Sequence, residues 1–489
     1  MFSPRRIYMD NTATTRTRRE VVSAMSEYFG KTYANPSSIH ESGLIARGSI
    51  EMARERIAGV LGCRSEEIIF TGSGSEANNT ALCGVAEAKR GHGRHIITSP
   101  IEHSSVLNTC RALEEKGFEV TYLRVDHNGQ FDLDDLVGAI RNDTILVSLG
   151  FINNEIGTIQ DVGRIVEIVK PRGVLLHLDA VQALPYLDLN MKEIGADLMS
   201  FSGHKLYAPK GVGLLYVRTG TPLMPHIHGG MQEFGLRSGT ENVPYAVGLS
   251  QAIVLNAREK QGYVSQLLQL RDRLIRGILQ NIPDAMITGD PVRRAPNHAS
   301  FCFKGVNGKM LVRELSQYGT EASSGSACSS PRNDPSHVLL ACGVPPAYLY
   351  GSLRLTLGRY NSKRDVDRLI HKLPGIIAGM RTNAAPYHNE PIFLSQEDFR
   401  ERQKTGNNLL VLDVRPVRYP TRMIPGSLHV PGWRIMKYVR GMRPETEIIL
   451  VCYQGDVISP RIHEELYRKG FHNVKVLKGG LFGYAAPKE

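Results

Sequence analysis

The chain has 489 residues, 42% hydrophobic and 22% charged, which excludes disordered and collagen-like classes and points to about three globular domains, or fewer if some are large. Its net charge of +11 is spread without a basic block, so the surplus reads as a solvated surface and direct nucleic-acid binding is not expected. Seven cysteines with no CxxC pair argue against a disulfide framework or a zinc ribbon; no metal site is expected, and a functional thiol should be single and reactive.

Residues 1–6 are basic but lead into Ile7, Tyr8, Met9 and Asp10 rather than an apolar core, and no stretch approaches a membrane span. A cytoplasmic protein with no membrane partner is therefore expected. Between residues 50 and 220, helical patterns alternate with short apolar or β-branched runs at 67–71, 95–99, 119–123, 144–149, 174–179, 197–201 and 213–217. That alternation predicts an α/β fold with a mostly parallel sheet wrapped by helices. A long helical stretch near 247–279 leads to a smaller α+β segment ending around 380. Residues 381–392, with Asn383, Pro386, Asn389 and Pro391, have the composition of a linker. A second compact part of about 100 residues follows, with strands predicted at 409–414, 448–452 and 474–477.

Several motifs fall at predicted strand ends. Gly72, Ser73, Gly74 and Ser75 follow the first strand and open a helix, where small residues let backbone N–H groups approach an anion. His103 follows the second, at the sheet edge where α/β ligands bind, and is placed to stack on an aromatic ring and shuttle protons. Asn153, Asn154 and Gln182 add amides at two more strand ends. Lys205 stands 26 positions after Asp179. An amine and a carboxylate so placed suit pyridoxal phosphate, whose aldehyde needs a lysine and whose ring nitrogen needs an acidic partner. Cys328 lies in a run of small and turn-forming residues, the composition of a mobile loop. Eleven residues from Gly325 to Pro335 give a contour of roughly 35 Å and a reach on the order of 15 Å, enough to carry a thiol from a pocket to a partner.

Together these motifs resemble the cysteine desulfurases of the long-loop type, within the class V aminotransferase fold. The likeness covers about residues 7–365 and includes Tyr8 to Thr15, Asn35 to Ser38 with His40, Arg237 to Asn242, Ser324 to Cys328 and Ser352 to Arg359. It implies a fold type I large domain at about 15–255 and a small α+β domain from the remaining N-terminal part and 256–383. The cofactor implied is pyridoxal 5'-phosphate, with Lys205 holding its aldehyde, Asp179 its ring nitrogen, and His103 stacked on the ring between Asn154 and Gln182. Gly74, Ser75, Ser202 and His204 would hold the phosphate, and Thr240 would reach that of a neighbouring subunit in a homodimer. Arg354, with Asn35, would receive the carboxylate of L-cysteine. Cys328 would be the nucleophile that takes sulfur as a persulfide, with His103 the candidate base. A selenocysteine lyase or another class V enzyme is the competing reading, and it leaves the Cys328 run without a purpose.

After a linker at 384–392, residues 393–489 resemble a single α/β rhodanese domain: Asp413 and Arg415, the turn Pro425 and Gly426, then Cys452 after a strand. Backbone N–H groups curled around such a cysteine suit a thiolate or persulfide. Its loop is about one residue longer than usual, Val457 or Ile458 stands where relatives place arginine or serine, and Tyr484 replaces a usual tryptophan. The resemblance implies a relay of sulfur from Cys328 to Cys452 and on to an acceptor, an iron-sulfur scaffold or a tRNA thiolation enzyme, or else a domain used only for docking.

Overall fold

A computed structural model describes residues 6–325, 335–382, 393–405, 409–415, 423–453, 458–467 and 469–485. The chain falls into two compact units that divide between Arg381 and Thr382. In chain order the strands of the first unit are β1 Ile7–Tyr8, β2 Ile68–Thr71, β3 His95–Thr98, β4 Glu119–Tyr122, β5 Thr144–Gly150, β6 Leu175–Asp179, β7 Leu198–Ser202, β8 Gly213–Val217, β9 Ala285–Ile287, β10 His298–Phe303, β11 Thr320–Glu321 and β12 Ser352–Thr356. Seven of them form one sheet in the order β2-β8-β7-β6-β5-β3-β4, in which β8 alone runs antiparallel to its neighbours.

Side-chain alternation builds two cores on this sheet. Ile68, Phe70, Ile97, Val147, Leu149, Met199 and Leu214 face one way, against helices Glu41–Leu61 and Val243–Asn281. The intervening Ile69, Ile96, Leu146, Leu198 and Leu215 face the other, against helices Gly74–Lys89 and Ser104–Glu114. Both faces are buried, so these strands read as continuous apolar runs. A separate core gathers Met9, Leu274, Phe301, Phe303, Leu353 and Leu355 around the antiparallel sheet β12-β10-β9.

The outer edge of β2 is closed by side chains. Glu233 Oε2 accepts the Phe70 N–H at 2.8 Å, and Arg54, paired with the same carboxylate, donates to the Ile68 carbonyl. The Arg54 guanidinium lies 5.0 Å from the ring centres of both Phe70 and Phe234. Glu233 and Phe234 hold left-handed backbone angles, φ 46° and 59°, that bulky residues rarely adopt.

The second unit is a five-stranded parallel sheet: β13 Phe393–Leu394, β14 Leu410–Asp413, β15 Leu428–His429, β16 Ile448–Val451 and β17 Val474–Leu477, in the order β13-β17-β16-β14-β15. Leu412, Leu450, Val474 and Val476 pack on one face and Val411, Ile449, Val451 and Leu477 on the other. Among the described residues no helix is long and apolar enough to cross a membrane.

Candidate active site

The C-terminal ends of β2, β3, β5, β6 and β7 meet at one edge of the large sheet, and a cavity of about 290 Å³ opens there. β7 ends at Ser202, and a short 3-10 turn, Gly203–Lys205, brings Lys205 to the cavity wall. Its Nζ donates to the carbonyls of Thr12 at 2.6 Å and Ala13 at 2.8 Å. β6 ends at Asp179, whose Oδ2 accepts from Asn78 Nδ2 at 2.7 Å and Oδ1 from the Val181 N–H at 3.1 Å. Those donors hold the carboxylate in one orientation on the cavity wall. Gln182 donates to the Thr12 carbonyl at 3.2 Å.

His103 precedes helix Ser104–Glu114, and its Nδ1 accepts the Ser105 N–H at 3.1 Å. Neutral His103 therefore carries its proton on Nε2. The imidazole is open to the cavity, but the protein around it disfavours the charged form and lowers its pKa, helped by Lys205 and His337 and opposed by Asp179. Burial, then Lys205 and Lys210, also bring His204 down to about 4, so it is neutral near pH 7.

The anion cup lies at the start of helix Gly74–Lys89. Ser73 caps it by accepting the Glu76 N–H at 3.1 Å, which leaves other N–H groups of the first turn available. A Cβ on Gly74 would come within 2.8 Å of Val181 Cγ2 and 3.1 Å of Ser202 Cβ, so glycine keeps the cup open. Ser75, Ser202 and His204 complete the wall.

Opposite stands Arg354 on β12, only 4% exposed. It donates to the Asn154 carbonyl at 3.0 Å and pairs with Asp10 at 3.0 Å, while its buried Nε has no partner among the described residues. Beside it Glu155 accepts from Ser336 Oγ at 2.5 Å, and burial raises its pKa. Glu102 is buried behind His103, accepts the Ser99 hydroxyl at 2.7 Å, and is pushed up to about 8 by burial. An amine, a fixed carboxylate and an anion cup line one cavity, and this set fits pyridoxal phosphate.

The structure thus brings together Lys205, Asp179, His103, Gly74, Ser75, Asn154, Gln182, Ser202, His204 and Arg354. It does not bring Asn35: that side chain is exposed, its Oδ1 accepts the Ser37 N–H in its own turn, and it does not line the cavity of its own chain. No contact within one chain joins Asn35 to Arg354 among the described residues. Thr240 is likewise exposed and away from this cavity. Cys328 lies outside the described residues, as do the linker at 384–392 and residues 454–457. Asn78, Glu102, Glu155 and His337 also line the cavity. The sequence alone assigns them no role, although all four stand in or directly beside the polar runs that carry Ser75, His103, Asn154 and Cys328.

In the second unit Cys452 directly follows β16 and is 2% exposed. Its carbonyl accepts the Leu481 N–H at 2.9 Å. Arg415, itself buried, donates to both oxygens of Asp413, at 2.8 and 2.6 Å, and lies 5.2 Å from the centre of the Tyr453 ring. The expected aspartate-arginine pair thus fixes a cation against the residue after Cys452. Tyr484, in the place of the usual tryptophan, packs edge-on against Phe399 at 6.0 Å.

Residues 7–369 match the model of the aminotransferase class-V family, and residues 395–487 that of the rhodanese-like domain. A cysteine desulfurase IscS of Methanosarcina thermophila is 48% identical over 380 residues, 78% of this chain and 94% of that protein. A cysteine desulfurase IscS of Dictyoglomus turgidum is 46% identical over 386 residues, 79% of this chain and 98% of that protein. Among solved structures, a NifS-like protein superposes with a TM-score of 0.72 at 39% identity, covering 76% of this chain and all of its own.

Proposed function

The chain belongs to the class-V aminotransferase family and is a pyridoxal-phosphate-dependent cysteine desulfurase with a rhodanese-like domain behind it; from that premise we propose that Cys328 takes the sulfur of L-cysteine and passes it to Cys452. The observation that carries this reading is the meeting of Lys205, Asp179, the Gly74 cup and Arg354 in one cavity. When bound, pyridoxal phosphate supplies an electron sink. The chain's own residues do the rest. Asp179, held by Asn78 and Val181, would pair with the ring nitrogen of the cofactor and favour its protonated form, and the cup at Gly74 and Ser75 would hold the phosphate. Arg354 holds the carboxylate of L-cysteine, and Lys205 Nζ is placed to take the α-proton. The thiolate of Cys328 attacks the substrate sulfur: an S–S bond forms, the C–S bond breaks with its electron pair going to the β-carbon, which takes up a proton, and L-alanine leaves once the α-carbon has regained the proton it lost.

Sulfur then moves by thiol exchange to Cys452 and to an outside acceptor, an iron-sulfur scaffold or a tRNA thiolation enzyme in the cytoplasm. A homodimer is proposed as well. Phe29, Tyr33 and Ile39, 61%, 78% and 90% exposed on and after helix Arg19–Gly30, support it, as does the exposure of Thr240 away from its own cavity.

Incubation with L-cysteine and an excess of a reducing thiol should give alanine and sulfide in equal amounts. Cys328→Ala should abolish sulfur release while the bound cofactor keeps its absorption band. Peptide mapping after labelled L-cysteine should place sulfur on Cys328 and Cys452. A Cys328→Ala protein that still desulfurates freely would sink the nucleophile assignment, and an unlabelled Cys452 in active enzyme would leave the second unit a docking domain.

A further inference from the structure

Arg354 is held from outside the cavity that it lines. Its Nη2 donates to Asp10 Oδ1 at 3.0 Å and its Nη1 to the Asn154 carbonyl at 3.0 Å, while the buried Nε has no partner among the described residues. Asp10 itself does not line the cavity. The guanidinium thus spends one donor on a resident carboxylate and keeps others for a ligand. Backbone pairing fixes both partners. Asp10 bridges to Thr356, which stands two residues beyond Arg354 on β12, and Arg354 donates its N–H to the Ser323 carbonyl at 2.6 Å and accepts the Ser323 N–H at 3.2 Å.

An arginine only 4% exposed needs a counter-charge, and Asp10 supplies it. The same carboxylate then opposes any second one brought to that guanidinium. Two carboxylates sharing one cation lie within about 4–6 Å of each other, where like charge costs on the order of tenfold in affinity. The charged and titratable groups that interact with Asp10 are Arg354, Lys205, Glu321 and Tyr8. Burial raises the Asp10 pKa, while Arg354 and then Lys205 hold it down. Arg354 interacts in addition with the buried Glu155 and with His298, which burial keeps neutral. Acid therefore surrounds this cation on the protein side before a substrate carboxylate reaches it.

We propose that Asp10 sets how tightly the substrate carboxylate is held: it orients Arg354 and tempers its charge, so that L-cysteine binds and L-alanine can leave. Acting through Arg354, it is a positioning residue rather than a catalytic one. This inference rests on the reading of Arg354 as the cation for the carboxylate of L-cysteine, and adds the group that limits its strength.

The test is Asp10→Asn in the cofactor-loaded full chain, where the side-chain carbonyl can still accept from Arg354 and only the opposing charge is gone. Titration followed by cofactor absorption should show L-alanine bound about 10-fold tighter than in the parent, and L-alaninamide, which has no carboxylate, bound within about twofold. KM for L-cysteine should fall by a similar factor with no rise in kcat, as for binding gained equally in the ground and transition states. An ion pair that served the fold alone would, when broken, weaken both ligands. L-alanine bound no tighter than in the parent, or both ligands tightened alike, overturns the proposal. Should Asp10→Asn lose the cofactor band, Asp10→Ser is read in the same way, and loss of the band in both overturns it, since the pair then serves the fold. A parent that makes alanine from L-cysteine yet binds L-alaninamide as tightly as L-alanine would overturn the assignment of Arg354, and one that makes no alanine would overturn the desulfurase reading.

Discussion

Glu102 is a carboxyl placed where charge is costly. Burial pushes it up to about 8, against the opposing Ser99 hydroxyl and Gly150 amide. Below about pH 4.5 the folded and unfolded chains both hold this proton; between there and about 8 only the folded chain does. Its contribution to stability is therefore complete at low pH and is lost as pH rises, by up to about 1.4 kcal/mol per pH unit. Glu102→Gln should flatten that part of the profile: urea midpoints between pH 5 and 8 should fall less steeply than in the parent, and equal slopes would remove Glu102 as the cause. Asn78 acts on a neighbouring charge. Asn78→Ala takes one donor from Asp179, and a hydrogen bond to a charged group is worth about 1.5–3 kcal/mol, so cofactor titration should show binding weaker by roughly 10- to 100-fold. Unchanged binding would show that Val181 N–H suffices.

At the scale of elements, Gly74 ties a helix start to the cup. A Cβ there meets Val181 and Ser202, an overpacking of a buried site that costs about 1–3 kcal/mol. Gly74→Ala should lower the melting temperature slightly and weaken cofactor binding at least about tenfold, the latter read by titration. A variant that binds as the parent does would mean that Val181 yields. The strands themselves were legible: the apolar runs at 213–217 and 474–477 coincide with β8 and β17, and the other expected strands of the two main sheets end within a residue of their places. The reversed direction of β8 was not, because a fully buried strand reads the same in either sense. The cavity was legible at Lys205, Asp179 and His103, whose chemistry is distinctive. Asn78 and Glu155 were not, since their roles come from partners 101 and 181 positions away in sequence. Asn35 was placed by resemblance, and its exposure in this chain is a matter of tertiary position that no local pattern encodes.

For the whole molecule, the proposed relay would gain from joining the two domains in one chain, which gives two tethered groups an effective concentration that reaches the millimolar range for a suitable linker. Cys452→Ala should leave alanine formation within about twofold of the parent under saturating reductant, which can clear Cys328 directly. Sulfur delivery to an acceptor protein at low reductant should fall well below the parent. Equal delivery by both proteins would show that acceptors draw on Cys328 without the second domain.

The closed edge of β2 has a consequence for behaviour outside catalysis. A sheet rim with free N–H and C=O groups is a template on which another chain can add a strand. Here a carboxylate and a guanidinium imitate the missing neighbour, and the carboxylate comes from a segment whose backbone is strained at Glu233 and Phe234. Release of that segment would uncover β2 while the rest of the sheet stays folded. Glu233→Gln or Arg54→Ala protein should therefore aggregate on mild warming before its helices melt, with light scattering rising ahead of the circular dichroism transition. Scattering that rises only together with the helical transition would show that the Arg54–Glu233 pair does not guard the rim.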